Sequence, residues 1–317
     1  ETGYKESMIK DNTKGIEYLF KKNKITLING WASFIDQNTI SVDNENFEAT
    51  YFVIATGSEA SSLKNMEFDE QVIVSSTGAL ELKKIPEKMI IVGAGVIGLE
   101  MGSIYSRLGT EVTVVEFFDK VLNGMDHDIS KNFKSILQKQ GFKFQLNSSV
   151  SMITKEKKGV KVTFKQVDSH DQNELSADVV LVATGRKPFT KNLKLENIGV
   201  KLNPKGQIET DSNWRTTATN IFALGDVTSG PMLAHKAEEE GIAVAEIIAG
   251  QAGHVNFQVI PSVVYTDPEV AAVGKTENEL KEEGIQIKVG KFSFMGNGRA
   301  KTVFSSNGFV KIIADSN

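Results

Sequence analysis

The sequence predicts an α/β protein of doubly wound parallel sheets, duplicated within the chain and followed by a partial α+β segment. Three observations carry this expectation. A glycine-rich turn, Gly93-Ala94-Gly95-Val96-Ile97-Gly98, joins the apolar run Lys88 to Val92 to a stretch of helical periodicity. Tyr51 to Gly57 and Val179 to Gly185 are related apolar runs, each breaking at Ala-Thr-Gly. Beyond about Phe257 the βα rhythm gives way to alternation and a hairpin signal.

Taken in order, Tyr51 to Ile54 is apolar on both faces of an extended chain, as a strand covered on both sides must be, and Gly57 permits a tight turn after it. Lys88 to Val92 reads the same way. After the glycine turn, Ile97, Met101, Ile104, Tyr105 and Leu108 recur at helical spacing until Gly109 stops them. Val112 to Val115 is a second buried strand, ending in Glu116. Asp126 to Asp128 can cap another helix, with Ile129, Phe133, Ile136 and Leu137 on one face and Gly141 as its stop. Strand, helix, strand, helix implies a parallel sheet. In the last region Val259 to Pro268 reads as extended. Thr276 caps a short helix with Glu279 three residues on, and Asn307-Gly308 predicts a tight hairpin before Phe309 to Ile313. A glycine-rich loop matching Gly93 for the first copy would fall before residue 1, and the last region stops just after a strand. The chain therefore reads as an internal piece of a longer one.

Composition excludes several classes. Of 317 residues, 40% are hydrophobic and 24% charged, with a net charge of −4, which gives no basis for nucleic acid or an anionic membrane as partner. No apolar run reaches spanning length and no leader pattern is visible. There are no cysteines, so disulfides and zinc-thiolate sites are excluded and no thiol chemistry is available. No metal site and no catalytic residue is expected.

The chemistry lies in the glycine turn. The first glycine of such a loop permits the turn, the second lets a pyrophosphate approach the backbone, and the third lets helix and strand pack closely. The phosphates then meet free N–H groups at a positive helix end. Glu116 closes the next strand, where a carboxylate about 20 residues into the unit accepts hydrogen bonds from the adenosine ribose. A carboxylate there repels a 2′-phosphate and so favours NAD over NADP. A second strand, Ile221-Phe222-Ala223-Leu224, ends in Gly225-Asp226, which places an aspartate at a sheet's carboxyl edge.

In combination, Gly93 to Glu100, Ala183-Thr184-Gly185-Arg186-Lys187-Pro188 and Ile221 to Asp226 resemble the flavoprotein disulfide reductases. Met232-Leu233-Ala234-His235-Lys236-Ala237-Glu238 and Pro261 to Val270 narrow the resemblance to the dihydrolipoamide dehydrogenases. The resemblance implies a partial FAD domain over 1–85, an NAD domain over 86–190, a returning FAD segment over 191–256, and a partial dimerisation domain over 257–317. It implies that Gly93, Ala94, Gly95, Val96, Ile97, Gly98, Leu99, Glu100, Glu116, Val150 and Gly185 contact NAD, with Glu100 near the junction of nicotinamide and flavin. It implies FAD contacts at Ala32, Thr56, Gly57, Ser58 and Asp226, and along the backbone of Met232, Leu233, Ala234 and His235. His127, His170 and His254 read as surface or capping residues.

In such enzymes electrons pass from dihydrolipoamide to a cysteine pair, to FAD and then to NAD. The cysteine pair and the acid–base His–Glu pair are absent here, so this polypeptide alone is expected to be inactive and to hold FAD weakly or not at all. The resemblance also implies a homodimer, the lipoyl domain of a 2-oxoacid dehydrogenase complex as partner, and a bacterial cytoplasm or mitochondrial matrix as location. Two alternatives stay open: an NADPH-dependent disulfide or mercuric reductase relative, which Glu116 disfavours, and a non-catalytic NAD-binding module.

Overall fold

A computed structural model describes residues 2–64, 66–169 and 171–316. His170 therefore lies outside the described residues. The chain divides into two compact units.

The first unit comprises the chain up to Ala55 together with Thr190–Leu224. It opens with the helix Thr2–Lys22, followed by an antiparallel meander of Ala32–Asp36, Thr39–Val42 and Glu45–Glu48. Asp43 and Asn44, both at positive φ (48° and 71°), turn the chain between the last two strands, a backbone shape that short polar side chains tolerate. Phe52–Ile54 pairs in parallel with Ile221–Ala223, which lies far along the chain. The sequence led us to expect Tyr51 to Ile54 to be covered on both faces. Instead Tyr51 and Val53 each remain 44% exposed, because the strand belongs to a sheet of only two strands.

The second unit comprises Thr56–Phe189 and Gly225–Asn317. At its centre is a five-stranded sheet in the spatial order Ile73–Val74, Val179–Val182, Lys88–Val92, Glu111–Val115, Lys143–Gln145, with every neighbouring pair parallel. Side chains alternate across it. Met89, Ile91, Val112, Val114 and Leu181 point to one face, where they pack with Leu99, Met101 and Tyr105 of the helix Val96–Arg107 and with Phe133 and Leu137 of the helix His127–Lys139. Ile90, Val92, Val115, Val180 and Val182 point to the other face, onto Val160, Val162 and Phe164. That cover comes from the antiparallel strands Ser148–Lys155, Val160–Gln166 and Gln172–Ala177, inserted before the last strand of the sheet. Each such side chain, fully buried, contributes about 1.5–3 kcal/mol. Together they account for apolar runs with no polar alternation.

Helix ends fall where the sequence expects them. Asp126 caps His127–Lys139 by accepting from the Asp128 N–H at 3.0 Å, and Gly109 and Gly141 take positive φ just past the two helices. Thr276 and Glu279 form a reciprocal capping box on Glu277–Glu282.

The end of the chain differs from expectation. Ile287–Ser293 and Phe309–Asp315 do pair antiparallel, but Asn307-Gly308 is no tight turn between them. The connection holds a 3₁₀ turn, Phe294–Gly296, and a short helix, Gly298–Thr302, because Ser293 and Asn297 each cap a local turn with their side chains. Gly308, at φ 110°, begins the returning strand, its carbonyl accepting from Phe294 N–H at 3.0 Å.

That returning strand is anchored by Lys311, whose ammonium is nearly buried and donates to Asp126 (2.8 and 2.9 Å), Asp128 (3.0 Å) and Glu277 (2.7 Å). Burial alone would lower the Lys311 pKa, but bonds to Asp126, Glu277 and Asp128 outweigh it and raise it. Bonds from Lys311 and Lys291 hold Asp128 below the usual carboxylate range, and bonds from Lys281 and Lys311 do the same for Glu277. Depressed carboxylate pKa values give stability that is present above the unfolded value, about 4, and is lost as pH falls through the folded values. The raised lysine pKa gives stability present below about 10.4 and lost as pH rises through the folded value. Melting temperature is therefore expected to hold steady from about pH 5 to 10 and to fall on both sides. Lys311→Met should melt earlier at neutral pH, and its deficit should shrink in acid as the stranded carboxylates protonate. A deficit that is constant down to acid pH would remove the network from this account.

Candidate functional site

The carboxyl ends of Val179–Val182, Lys88–Val92 and Glu111–Val115 lie level in the sheet, with Val92 opposite both Val182 and Val115. Connections leave the Lys88–Val92 strand toward one side while the Val179–Val182 strand lies on the other, so a cleft opens there. Its volume is about 820 Å³. Gly93 to Ile97, Glu116, Val150, Gly185, Met232 and Leu233 all line it. Residues expected from separate motifs thus share one cavity wall.

The three glycines differ physically. Gly93 sits at φ 105°, and a Cβ there would lie 2.5 Å from the Ala183 carbonyl oxygen. At Gly98 a Cβ would lie 2.4 Å from the Gly93 carbonyl oxygen, so this residue sets how closely helix and strand approach. Gly95 has nothing within 4 Å of its would-be Cβ. It is open toward the cleft and caps Val96–Arg107 without any side-chain hydrogen bond. The first N–H groups of that helix therefore have no side-chain partner from the cap, which leaves an anion-binding end. The loop fits a dinucleotide pyrophosphate.

Glu116 is buried, and both its oxygens are engaged. Oε2 accepts from the Ala94 N–H in a short bond, and Oε1 accepts from the Phe118 N–H at 2.9 Å. Each oxygen keeps a further lone pair for ribose hydroxyls. Glu116 thus also pins the glycine loop to the next strand, a role that its spacing alone did not reveal.

Three expected contacts stand apart from the cleft wall. Gly98 and Leu99 are buried in the packing beneath it, Leu99 completely. Glu100 uses its carboxylate to accept from the Tyr265 N–H at 2.7 Å.

A second group gathers around Asp226. Its Oδ2 accepts from the Ser58 hydroxyl at 2.6 Å, which in turn accepts from Arg186 Nε at 2.7 Å. Arg186 also donates to the Ser58 carbonyl at 2.7 Å. Thr56 donates its hydroxyl to the Phe189 carbonyl (2.6 Å), and Gly57 accepts from the Phe189 N–H (2.9 Å). Met232 and Leu233 lead into the helix Ala234–Ile248, whose N-cap Leu233 offers no side-chain bond. His235 binds the Pro261 carbonyl through Nε2 at 2.6 Å, so its ring is occupied structurally. Ala32 belongs to the first unit, where it lines a hollow of about 480 Å³ with Trp31 and Leu195. His127 and His254 are exposed.

Sequence reasoning missed a buried ion pair next to Asp226. Lys236 and Glu240, 1% and 2% exposed, meet at 2.9 Å. Glu240 also accepts from the Gly225 N–H at 2.7 Å. The available signal was their four-residue spacing on a helix, which normally marks a solvated pair. Arg186 was quoted only within a motif. Among the described residues no cluster suits a metal ion, and no helix is long and apolar enough to cross a membrane.

Sheet order, glycine loop and strand-end carboxylate place the chain in the class of Rossmann-type α/β proteins. Comparison with known proteins is more specific. Residues 4–241 match the family model described as pyridine nucleotide-disulphide oxidoreductase, and residues 260–317 match that family's dimerisation domain. The chain belongs to the pyridine nucleotide-disulphide oxidoreductase family, whose cofactors are FAD and NAD. It is 49% identical over 98% of its length to mitochondrial dihydrolipoyl dehydrogenase 1 of Arabidopsis thaliana and, likewise, to the mitochondrial dihydrolipoyl dehydrogenase of Homo sapiens. The chain spans 62% of the length of each. Among solved structures, LpdA of Mycobacterium tuberculosis superposes with a TM-score of 0.91 at 26% identity, covering 100% of this chain and 70% of that one. An HOCl-induced flavoprotein disulfide reductase of Escherichia coli gives 0.84 at 30% identity, covering 97% and 72%.

Proposed function

We propose that this polypeptide is the nucleotide-handling part of a dihydrolipoyl dehydrogenase, with NAD in the cleft at Gly93–Gly98. The observation that carries the reading is the conjunction of an open Gly95, an uncapped helix end and the buried Glu116 carboxylate in one cavity. In this reading the helix N–H groups and the loop backbone hold the pyrophosphate. Glu116 accepts from the adenosine ribose, and Val150 and Gly185 bound the rest of the cleft. Ser58, Asp226 and the backbone of Met232 to His235 form the side toward FAD, where helix N–H groups favour negative charge. When bound, the two cofactors supply the electron and hydride transfer, and the protein positions them. The sequence holds no cysteine, so its own residues make no dithiol relay, and alone it does not oxidise dihydrolipoamide. Residues 260–317 would pair two copies of the intact enzyme, and the substrate would be a protein-borne dihydrolipoyl group. A mitochondrial matrix or bacterial cytoplasm suits this activity, and the Arabidopsis and human relatives are named as mitochondrial.

Calorimetric titration tests the nucleotide assignment. NADH should bind more tightly than NADPH, because a 2′-phosphate would face the Glu116 carboxylate. Glu116→Gln removes the charge and also one of the two acceptors that hold the Ala94 and Phe118 N–H groups, so both nucleotides should weaken while discrimination between them shrinks by about tenfold, equivalent to about 1.4 kcal/mol. Tighter NADPH binding by the wild-type chain would instead favour a reductase that draws on NADPH.

A further inference from the structure

Lys311 lies in the strand Phe309–Asp315, outside the dinucleotide sheet, and does not itself line the cleft. Two of its three carboxylate partners, Asp126 and Asp128, nevertheless sit at the start of the helix His127–Lys139. Leu122, Asn123, Gly124 and Met125, immediately before that cap, line the cleft. Leu122 is buried at φ 50°, a left-handed shape that a residue with a side chain keeps only where its surroundings fix it. Its N–H donates to the Ala94 carbonyl at 2.9 Å, and the Ala94 N–H is held by Glu116. The second residue of the glycine loop is thus bonded twice, once by a strand end and once by the loop 119–126.

The far end of that loop is fixed by residues 260–317. Asp126 receives Lys311 on both oxygens, at 2.8 and 2.9 Å, and the Glu277 N–H at 3.3 Å. Glu277 in turn accepts from Lys311 at 2.7 Å. Past the other end of the helix, the Gln140 side-chain amide donates to the Asp267 carbonyl at 2.6 Å. One segment therefore clamps the helix at both ends.

We propose that Lys311 is a positioning residue for nucleotide binding: through Asp126 it holds the loop 119–126, and with it the Ala94 peptide, in the shape that the pyrophosphate meets. The inference rests on the NAD reading and extends it to a residue outside the cleft. Coupling of this kind is reciprocal, so a bound nucleotide tightens the strand that carries Lys311.

The test is calorimetric titration with NADH on the full chain, at a temperature where the variants are folded, combined with amide hydrogen exchange. Lys311→Met should weaken NADH by about tenfold, within the usual range of coupling between distinct sites, and should speed exchange in residues 119–126. Val162→Ala, a core truncation on the opposite face of the sheet, is a destabilised control whose NADH affinity should match wild type. In the wild-type chain, saturating NADH should slow exchange in residues 309–315 more than in the edge strand Gln172–Ala177. That comparison decides the matter even if Lys311→Met does not fold. NADH affinity within about twofold of wild type in Lys311→Met, or an equal loss in Val162→Ala, would overturn the inference and leave the NAD reading standing. Unchanged exchange at 309–315 in the NADH-saturated wild type would do the same. No NADH binding by the wild-type chain would overturn both.

Discussion

Gly98→Ala is expected to lose on the order of a hundredfold in NADH affinity. A Cβ there would lie 2.4 Å from the Gly93 carbonyl oxygen and 3.0 Å from Ile91 Cγ2. The first of these is backbone, so the helix must move rather than a side chain. A displacement of about 1 Å takes the helix N–H groups out of hydrogen-bonding reach of a pyrophosphate, and losing two hydrogen bonds to a charged group at about 1.5 kcal/mol each amounts to about a hundredfold. Overpacking should also cost about 1–3 kcal/mol of stability. Gly95→Ala separates the two effects. With nothing within 4 Å of its Cβ, it should leave the melting temperature unchanged while its methyl group occupies the approach to the loop. Fluorescence titration with NADH alongside thermal melting reads both variants. If Gly98→Ala binds NADH within threefold of wild type, the loop is not the phosphate seat.

The second large effect is expected at the ion pair beneath Asp226. Lys236 and Glu240 are almost wholly buried, and Glu240 serves the Gly225 N–H as well as the lysine. Glu240→Ala leaves a buried ammonium with only the Gly225 carbonyl, at 3.4 Å, and strands the Gly225 N–H, which should cost about 3–5 kcal/mol in urea unfolding. Lys236→Met leaves the carboxylate with only the backbone N–H and should fall in the same range. The double variant Lys236→Met/Glu240→Leu removes both charges and should recover most of the loss. Recovery stays incomplete because the Gly225 N–H still lacks its acceptor. Single variants that cost under about 1 kcal/mol, as exposed pairs do, would show that water reaches this pair.

What could be read from the sequence and what could not divides by the range of the interaction. Gly109, Gly141, Asp126 and the Thr276–Glu279 box act within one helical turn, and each marks a boundary in the structure. The loop at Gly93 and the carboxylate at Glu116 were legible for the same reason, since one βαβ unit fixes both. The pinning of Ala94 by Glu116 links residues 22 positions apart and left no local mark. Lys236–Glu240 has the spacing of a surface pair, and only the packing of distant segments over it makes it a core element. Asn307-Gly308 has the composition of a tight turn, but the caps at Ser293 and Asn297 had already turned the chain before it. The exposure of Val53 depends on how many strands join its sheet, which no local pattern encodes.

The parallel pairing of Phe52–Ile54 with Ile221–Ala223 also sets a timetable for biosynthesis. A ribosome adding about 5–20 residues per second completes the first of these strands long before its partner leaves the exit tunnel. For roughly ten to thirty seconds at that pace, a short apolar strand waits with its amide edge unmet while the intervening dinucleotide fold closes on itself. A nascent chain stalled in that interval would be the form on which chaperones act, and slowing translation between the two strands should lengthen their hold.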